Sequence, residues 1–261
     1  MSRRASGSLR PLLLLAGVMA ISAQAAVSLS GTRLIFDGKL TEVSLQVSNQ
    51  GANEVLIQAW LSDPGDDDDT PSARRTAVPF VVTPHLQRLP AGGRQALRVL
   101  YQGFGMPQGR ESLVHLYVTQ VPQRREGGNR LNIAIRQRIN LFYRPPGLQG
   151  DPARTPERLR WELAALASGA KVLRVTNPTA YHATLQDVGV EGAPLSDYLM
   201  LAPGAQQDLR LPAATNSLAV RRLAFKALTD YGGARAYCAR PAGDGPFKAR
   251  LLDNHYAQEQ C

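Results

Sequence analysis

Short runs of alternating apolar and polar residues fill most of the chain, and this period of two is typical of β-strands that bury one face. Val43, Leu45 and Val47 alternate with serine and glutamine. In residues 131–141, leucine or isoleucine occupies five of the six odd-numbered positions. Clusters of glycine, proline, asparagine and aspartate separate such runs and predict about seven strands in residues 26–143, as in an immunoglobulin-like antiparallel sandwich.

A proline-rich segment interrupts this pattern and divides the chain. Proline has no backbone N–H to donate to a strand ladder, so Pro145 and Pro146 end strand pairing, and Pro152 continues the break. Shorter strand-like runs follow, and they occupy residues 171–176, 181–190, 207–211 and 219–229. The sequence therefore predicts an all-β protein of two tandem immunoglobulin-like β-sandwich domains, residues 26–146 and 147–261.

Residues 155–166 support two interpretations. The opening Thr155-Pro156-Glu157 and the leucines spaced three or four residues apart fit the start of a helix. Leu159, Trp161 and Leu163, in contrast, alternate with polar or small residues as in a strand. The local signal slightly favours the helix, but the surrounding strands favour a strand, and we predict a strand.

The first 25 residues have the three parts of a secretory signal peptide. Arginines precede an apolar stretch at residues 11–22, which is too short to span a membrane, and Ala23-Gln24-Ala25 forms a small-residue cleavage site. The pair Arg3-Arg4 leaves a twin-arginine signal open, but residues 5–7 lack the apolar residues expected after it, so export in the unfolded state is favoured. We expect cleavage near residue 25 and a mature protein in an oxidising compartment.

Charge and hydropathy restrict the partners of the mature chain. The formal net charge is +9, and removal of the three arginines in the signal peptide lowers it to +6. This moderate charge does not predict binding to nucleic acid. No later stretch approaches the 18 or so apolar residues of a membrane span, so we expect no membrane insertion.

Motifs of metal, nucleotide and catalytic sites are missing from the sequence. The two cysteines and four histidines form neither a CxxC nor an HExxH motif, and there is no GxSxG elbow or phosphate-binding loop. The acidic run at residues 66–69 lacks the spacing and final glutamate of a calcium-binding loop, so we interpret it as a solvated loop tip. We predict no metal, no cofactor and no enzymatic activity.

Six stretches, taken together and in this order, resemble the periplasmic pilus-assembly chaperones of the chaperone-usher system, the PapD-like family. They are GTRLIFDG at residues 31–38, PFVVTPHLQRLP at 79–90, GRESL at 109–113, IAIRQRINLFYRP at 133–145, NPT at 177–179 and DYGG at 230–233. The resemblance covers essentially the whole mature chain and weakens after Cys238. It implies a boomerang of two immunoglobulin-like domains located in the periplasm.

The resemblance also implies that residues 131–141 form an edge strand lent to fimbrial subunits. A subunit of this kind is a sandwich without its last strand, so its edge exposes unpaired backbone groups and bare core. The lent strand pairs with that edge while alternate side chains fill the groove. The matching groove-filling residues are Leu131, Ile133 and Ile135; without the resemblance they would be interpreted as ordinary core residues. The implied partners are fimbrial subunits, in one-to-one complexes, and an outer-membrane usher.

A second implied feature is an anchor for the terminal carboxylate of the subunit. Chaperones of this family use an arginine and a lysine, and Arg33 matches the arginine. Asn140 stands at the lysine position, where it offers a hydrogen bond but no charge, and a bond to a charged donor is worth about 1.5 to 3 kcal/mol against about 1 for a neutral one. Arg138, two residues earlier on the same strand face, is the alternative cation.

Two further expectations concern structure. The resemblance implies that Glu111, Arg144 and Asp230 form an ion cluster between the domains, since one arginine fork has enough donors for two carboxylates. In an oxidising compartment, Cys238 and Cys261 are expected to form a disulfide; the alternative is two free thiols, because Cys261 ends the chain.

Two other classes of exported protein are alternatives to a chaperone. A secreted two-domain adhesin or carbohydrate-binding protein would be expected to carry an exposed aromatic platform, and a secreted hydrolase would need a nucleophile or metal motif. Only a chaperone is expected to co-purify one-to-one with an otherwise insoluble partner. The sequence leaves open which subunits are bound and whether the free protein covers its sticky strand by forming a dimer.

Overall fold

The computed structural model describes residues 27–67, 69–123, 132–212, 220–241, 243 and 245–252. Within them, nearly all regular structure is β-strand, arranged as two β-sandwiches in tandem. The all-β, two-domain prediction is confirmed. The predicted signal peptide, Leu131 and Cys261 lie outside the described residues. No helix in the described ranges has the length and apolar character needed to cross a membrane.

Nine strands make up the first sandwich in the part of the chain that the structure describes. They are β1 (Val27–Leu29), β2 (Arg33–Asp37), β3 (Glu42–Asn49), β4 (Val55–Ser62), β5 (Phe80–Thr83), β6 (Leu86–Leu89), β7 (Arg94–Tyr101), β8 (Ser112–Pro122) and β9 (Ile135–Arg144). One sheet has the order β1-β3-β7-β5 and the other β2-β9-β8-β4-β6. A short 3₁₀ turn, Ser72–Arg74, lies between β4 and β5.

The nine described strands exceed the predicted count of about seven, because the chain changes sheet at two further places. Val27–Leu29 and Arg33–Asp37 form separate strands, β1 and β2, which belong to different sheets. Residues 72–89 divide into β5 and β6 at Pro84, because proline has no N–H for the ladder. Both divisions move the chain from one sheet to the other.

A close backbone approach fixes the end of β2 against the end of β9. The N–H of Gly38 donates to the carbonyl oxygen of Arg144 at 2.7 Å. A Cβ at position 38 would lie 2.8 Å from that oxygen and 2.8 Å from the Pro146 ring, so only glycine fits. This contact holds Arg144 where the first domain ends.

Eight strands make up the second sandwich among the described residues. They are β10 (Arg160–Ala165), β11 (Lys171–Thr176), β12 (Ala183–Val190), β13 (Ala193–Leu201), β14 (Gln206–Arg210), β15 (Leu223–Leu228), β16 (Ala234–Ala239) and β17 (Arg250–Leu251). The sheet orders are β10-β11-β14 and β13-β12-β15-β16-β17. Cys238 is buried in β16, but its expected partner Cys261 lies outside the described residues, so the disulfide stays a prediction.

Residues 155–166, which the sequence left ambiguous, contain a short helix followed by a strand. A 3₁₀ turn (Pro152–Arg154) leads into the four-residue helix α1 (Thr155–Arg158), and β10 follows directly. Trp161 in β10 is fully buried, with its ring 5.4 Å from that of Phe225. The strand prediction is confirmed for the second half, because burial of alternate residues against the opposite sheet requires a period of two.

The predicted strand at residues 131–141 begins later than expected. Strand β9 starts at Ile135, whose partner in β8 is Gln120, and residues 132–134 belong to no strand. The ladder ends here because β8 itself ends at Pro122, which lacks the N–H that a longer ladder needs. Ile133 therefore lies in an extension of β9 rather than in the sheet.

Candidate functional site

The first half of β9 is an open edge with apolar side chains. Strand β2 runs parallel to β9 but pairs only with its second half, from Asn140 to Arg144. Among the described strands, residues 135–139 of β9 pair with β8 alone. Ile133 and Ile135 are 59% and 37% exposed.

These exposed isoleucines continue the inner face of the sandwich. Ile135 lies on the same strand face as Ile139 and Leu141, which are buried in the core, because alternate residues share a face. An apolar row beside unpaired backbone groups can add a strand from another chain, with hydrogen bonds along the edge and side chains inserted into the partner. Of the three predicted groove-filling residues, Ile133 and Ile135 have this placement, and Leu131 lies outside the described residues.

Arg33 opens β2 where the free edge of β9 ends. Its partner in the parallel register is Asn140, and its guanidinium carbon lies 5.6 Å from the centre of the Phe142 ring. Its Nε is buried and, among the described residues, has no hydrogen-bond partner. Burial lowers the pKa of Arg33, a shift that nearby Tyr198 and acidic groups only partly offset. Arginine nevertheless stays protonated at neutral pH, so the site offers a positive charge with unused donor capacity.

The two alternatives for a second anchor residue are placed differently. Asn140 is half-buried beside Arg33, and its side-chain Nδ2 donates to the Met200 Sδ of β13 at 3.9 Å. Arg138 is exposed two positions earlier on the same face, about 6.6 Å further along the strand. The structure therefore brings Arg33 and Asn140 together and leaves Arg138 outside this group.

A cavity of about 340 Å³ lies between the two domains, next to Arg33. Residues of both domains line it, including Arg33, Phe142, Arg144, His182, Asp230 and Tyr231. Its wall therefore carries two arginines on the side of the first domain. A cavity at a domain interface with convergent polar groups is the usual location of a binding site.

Glu111, Arg144 and Asp230 meet at this interface. The Arg144 Nε donates to Glu111 at 2.6 Å, and its two terminal nitrogens donate to the Asp230 carboxylate at 2.6 and 2.7 Å. The other oxygen of Glu111 accepts the backbone N–H of His182 at 2.8 Å and lies 2.8 Å from His182 Nδ1. One arginine fork thus joins a buried carboxylate of the first domain to a partly exposed carboxylate of the second.

His182 was missed by the sequence reasoning. Its position depends on Asn177, whose side chain donates to the carbonyls of Tyr181, Leu201 and Ala202 at 2.7 to 3.1 Å. This buried amide shapes the turn that presents His182 to Glu111. The Asn177-Pro-Thr motif was the available signal, but a motif alone does not show which distant residue the turn contacts.

The surroundings of the cluster shift the pKa values of Arg144 and of the neighbouring Tyr181. Burial lowers the pKa of Arg144, but its hydrogen bonds to Asp230 and the charge and hydrogen bond of Glu111 more than offset this, and the net pKa is raised. The pKa of Tyr181, whose ring lies 5.4 Å from the Arg144 guanidinium carbon, is raised chiefly by burial. Arg144 is therefore a permanent cation bonded to carboxylates of both domains.

Arg144→Lys is expected to loosen the interface without unfolding either domain. An ammonium group keeps the charge but cannot donate in one plane to both carboxylates, so we expect a loss of about 1 to 2 kcal/mol in the free energy of unfolding. Denaturant unfolding and small-angle X-ray scattering measure the stability and the interdomain angle.

The matched control for this change is Arg174→Lys. Arg174 forms a similar fork with Asp208, at 2.7 and 3.0 Å, but within the second sandwich. The control is expected to lower stability without changing the angle between the domains. An unchanged scattering profile for Arg144→Lys would contradict the orienting role of the cluster.

Two immunoglobulin-like sandwiches in tandem, with a cavity between them and an apolar strand edge beside it, define the class of this structure. Comparison with known proteins identifies the family. Residues 26–149 match the family described as pili and flagellar-assembly chaperone, PapD N-terminal domain, and residues 154–239 match the pili assembly chaperone PapD, C-terminal domain. The chain belongs to this family of pilus-assembly chaperones.

Individual relatives agree over most of their length. The chain is 35% identical over 231 residues to the chaperone protein FimB/FhaD of Bordetella pertussis, which covers 85% of this chain and 90% of the relative. It is 33% identical over 223 residues to the probable fimbrial chaperone YadV of Escherichia coli, covering 82% and 89%.

Solved structures show the same arrangement. The Pseudomonas aeruginosa CupB2 chaperone matches with a TM-score of 0.67 and 30% identity, over 83% of this chain and 100% of that chain. The Salmonella enterica SafB chaperone, solved in complex with the SafA pilin, matches with a TM-score of 0.67 and 28% identity, over 87% and 96%.

Proposed function

We propose that this protein is a non-catalytic periplasmic chaperone that binds, folds and caps fimbrial subunits and delivers them to an outer-membrane usher. The observation that carries the proposal is the first half of β9, which pairs on one side only among the described strands and exposes Ile135 to 37%, with Ile133 of its extension exposed to 59%. Family membership and the chaperone–pilin complex formed by SafB and SafA support it.

The binding step is strand addition. A subunit with an incomplete sandwich exposes core and unpaired backbone, and both are satisfied when β9 and its extension pair with that edge. Leu131, Ile133 and Ile135 fill the groove on the subunit. The free energy comes from burial and backbone pairing on binding, so no nucleotide or other cofactor is required.

The terminal carboxylate of the subunit sets the register of this pairing. Arg33 lies where the free edge ends, carries a charge and has a buried Nε without a partner in the described residues. A carboxylate neutralises this charge and accepts hydrogen bonds from the guanidinium, including the one that Nε can donate. Asn140, adjacent in the register, adds a neutral donor, and Arg138 is the alternative cation nearer the free half of the strand.

The proposal includes export and the layout of the mature chain. Residues 1–25 act as a cleaved signal peptide that directs the protein to the periplasm, where Cys238 and Cys261 form a disulfide. The domains are residues 26–146 and 147–261, with Glu111, Arg144 and Asp230 setting the angle between them. A related chaperone that is 26% identical, SfaE, is described as periplasmic, which supports the location.

Affinity purification tests the function directly. A tagged copy of the whole protein, expressed in its own bacterium, is purified from the periplasm, and co-purifying proteins are identified by mass spectrometry. We expect a fimbrial subunit in a one-to-one complex, and loss of soluble subunit when the chaperone gene is deleted. Normal amounts of soluble subunit in the deletion strain would overturn the proposal.

A further inference from the structure

A methionine of the second domain holds two hydrogen-bond donors beside the anchor arginine. Both the Asn140 Nδ2 and the Tyr198 hydroxyl donate to the Met200 Sδ, each at 3.9 Å. Tyr198 and Met200 are two residues apart in β13, so their side chains lie on the same strand face. The two donor atoms are therefore separated by no more than twice that distance, which a carboxylate with a hydrogen bond on each side spans.

The acceptor shared by these donors is weak. A thioether sulfur is a poor hydrogen-bond acceptor, whereas a carboxylate oxygen is a strong one. When a carboxylate binds, the two donors therefore exchange two weak hydrogen bonds to sulfur for two strong ones to oxygen. The sulfur therefore holds the Asn140 and Tyr198 donors near Arg33, and a carboxylate can displace it easily.

Tyr198 is also close to the cation that the carboxylate would meet. Its hydroxyl bonds the same sulfur as the side chain of Asn140, which is the register partner of Arg33. Its side chain is 50% exposed, so an incoming chain has access to it. Arg33, Asn140 and Tyr198 thus converge from β2, β9 and β13, which are strands of both domains.

We propose that the Tyr198 hydroxyl donates a hydrogen bond to the terminal carboxylate of the bound subunit and supplies the second anchor that Asn140, lacking a charge, provides only in part. This inference rests on the proposed chaperone function and adds a binding residue from the second domain. A neutral donor has one physical advantage over an ammonium group at this place, because it does not repel the buried guanidinium of Arg33.

The test measures the affinity of purified variants for the subunit identified by the periplasmic purification. Two forms of the subunit are used, one with its native C-terminus and one extended by two glycines, which moves the carboxylate away from the anchor. We expect Tyr198→Phe to weaken binding of the native form about tenfold, and to have little effect on the extended form.

Two further variants separate anchoring from structure. Tyr101→Phe makes the same chemical change in β7, which belongs to the sheet of the first domain that does not contain β9, and it is expected to bind normally. Adding Asn140→Lys to Tyr198→Phe is expected to restore affinity, since the lysine replaces the lost donor with a charged one. Rescue of this kind would not be expected if Tyr198 acted only through folding.

The outcomes distinguish this inference from the function on which it rests. If the wild-type protein binds the native subunit and Tyr198→Phe binds it equally well, the role of Tyr198 is refuted and the chaperone function stands. Equal weakening for both subunit forms also refutes carboxylate recognition by Tyr198. If the wild-type protein binds no subunit, both the function and the inference fail.

Discussion

The double variant Ile133→Ser/Ile135→Ser is expected to lose most of its affinity for fimbrial subunits while the chaperone itself stays folded. Burial of each isoleucine in the subunit is worth about 1.5 to 3 kcal/mol, so removing both weakens binding about 100-fold or more. Both side chains are already exposed in the free protein, where such substitutions change stability by about 0.5 kcal/mol or less. The measurements are the yield of soluble subunit on co-expression and the midpoint of thermal unfolding.

Leu86→Ser provides the matched control for this variant. Leu86 is 49% exposed, and it lies in β6 at the opposite edge of the same sheet. The substitution removes a comparable apolar group from the surface without touching the proposed donor strand. A normal yield of soluble subunit with the double variant, or an equal loss with Leu86→Ser, would rule out the strand assignment.

Arg33→Ala is expected to abolish stable subunit complexes with little change in folding. The side chain provides the charge at the end of the free edge, and each charge-assisted hydrogen bond lost costs about 1.5 to 3 kcal/mol. Two such bonds to a carboxylate correspond to a loss of affinity of about 100-fold or more. Co-purification of subunit with the tagged variant and denaturant unfolding measure the two effects separately.

Arg138→Ala is the control that locates the charge. Arg138 lies on the same face of β9 but further from Arg33, so its removal is expected to have a smaller effect. Asn140→Lys is expected to preserve or strengthen binding, because it adds the charge that other chaperones of this kind have there. If complexes survive Arg33→Ala but are lost with Arg138→Ala, the anchor lies further along the strand than we propose.

The alternation of apolar residues was sufficient to predict most of the fold, because burial of one strand face imposes a period of two on the sequence. It did not predict where a strand changes sheet. The division between β1 and β2 has only Gly31 as a local signal, and the division between β5 and β6 depends on a single residue, Pro84. The start of β9 was placed too early because its length is determined by the neighbouring strand, which ends at Pro122.

The candidate site was predictable only in part. Arg33, Asn140 and the exposed Ile133 and Ile135 were predicted through the family resemblance, which gives their positions along the chain. His182 and Tyr198 were not found, because the contacts that place them, His182 with Glu111 and Asn140 with the Met200 beside Tyr198, join the two domains and leave no periodic pattern. Residues of this kind are recognised only when the angle between the domains is known.

The partial cover of β9 by β2 also dictates the direction and the end point of an incoming strand. Both would occupy the same edge of β9, so the added strand has to stop where Arg33 begins β2. A strand parallel to β9 arrives there with its C-terminal carboxylate and is attracted by the guanidinium, whereas an antiparallel strand would bring a positively charged or continuing N-terminal end. Under the proposed function, strand β2 is therefore a physical stop that selects segments ending with the chain.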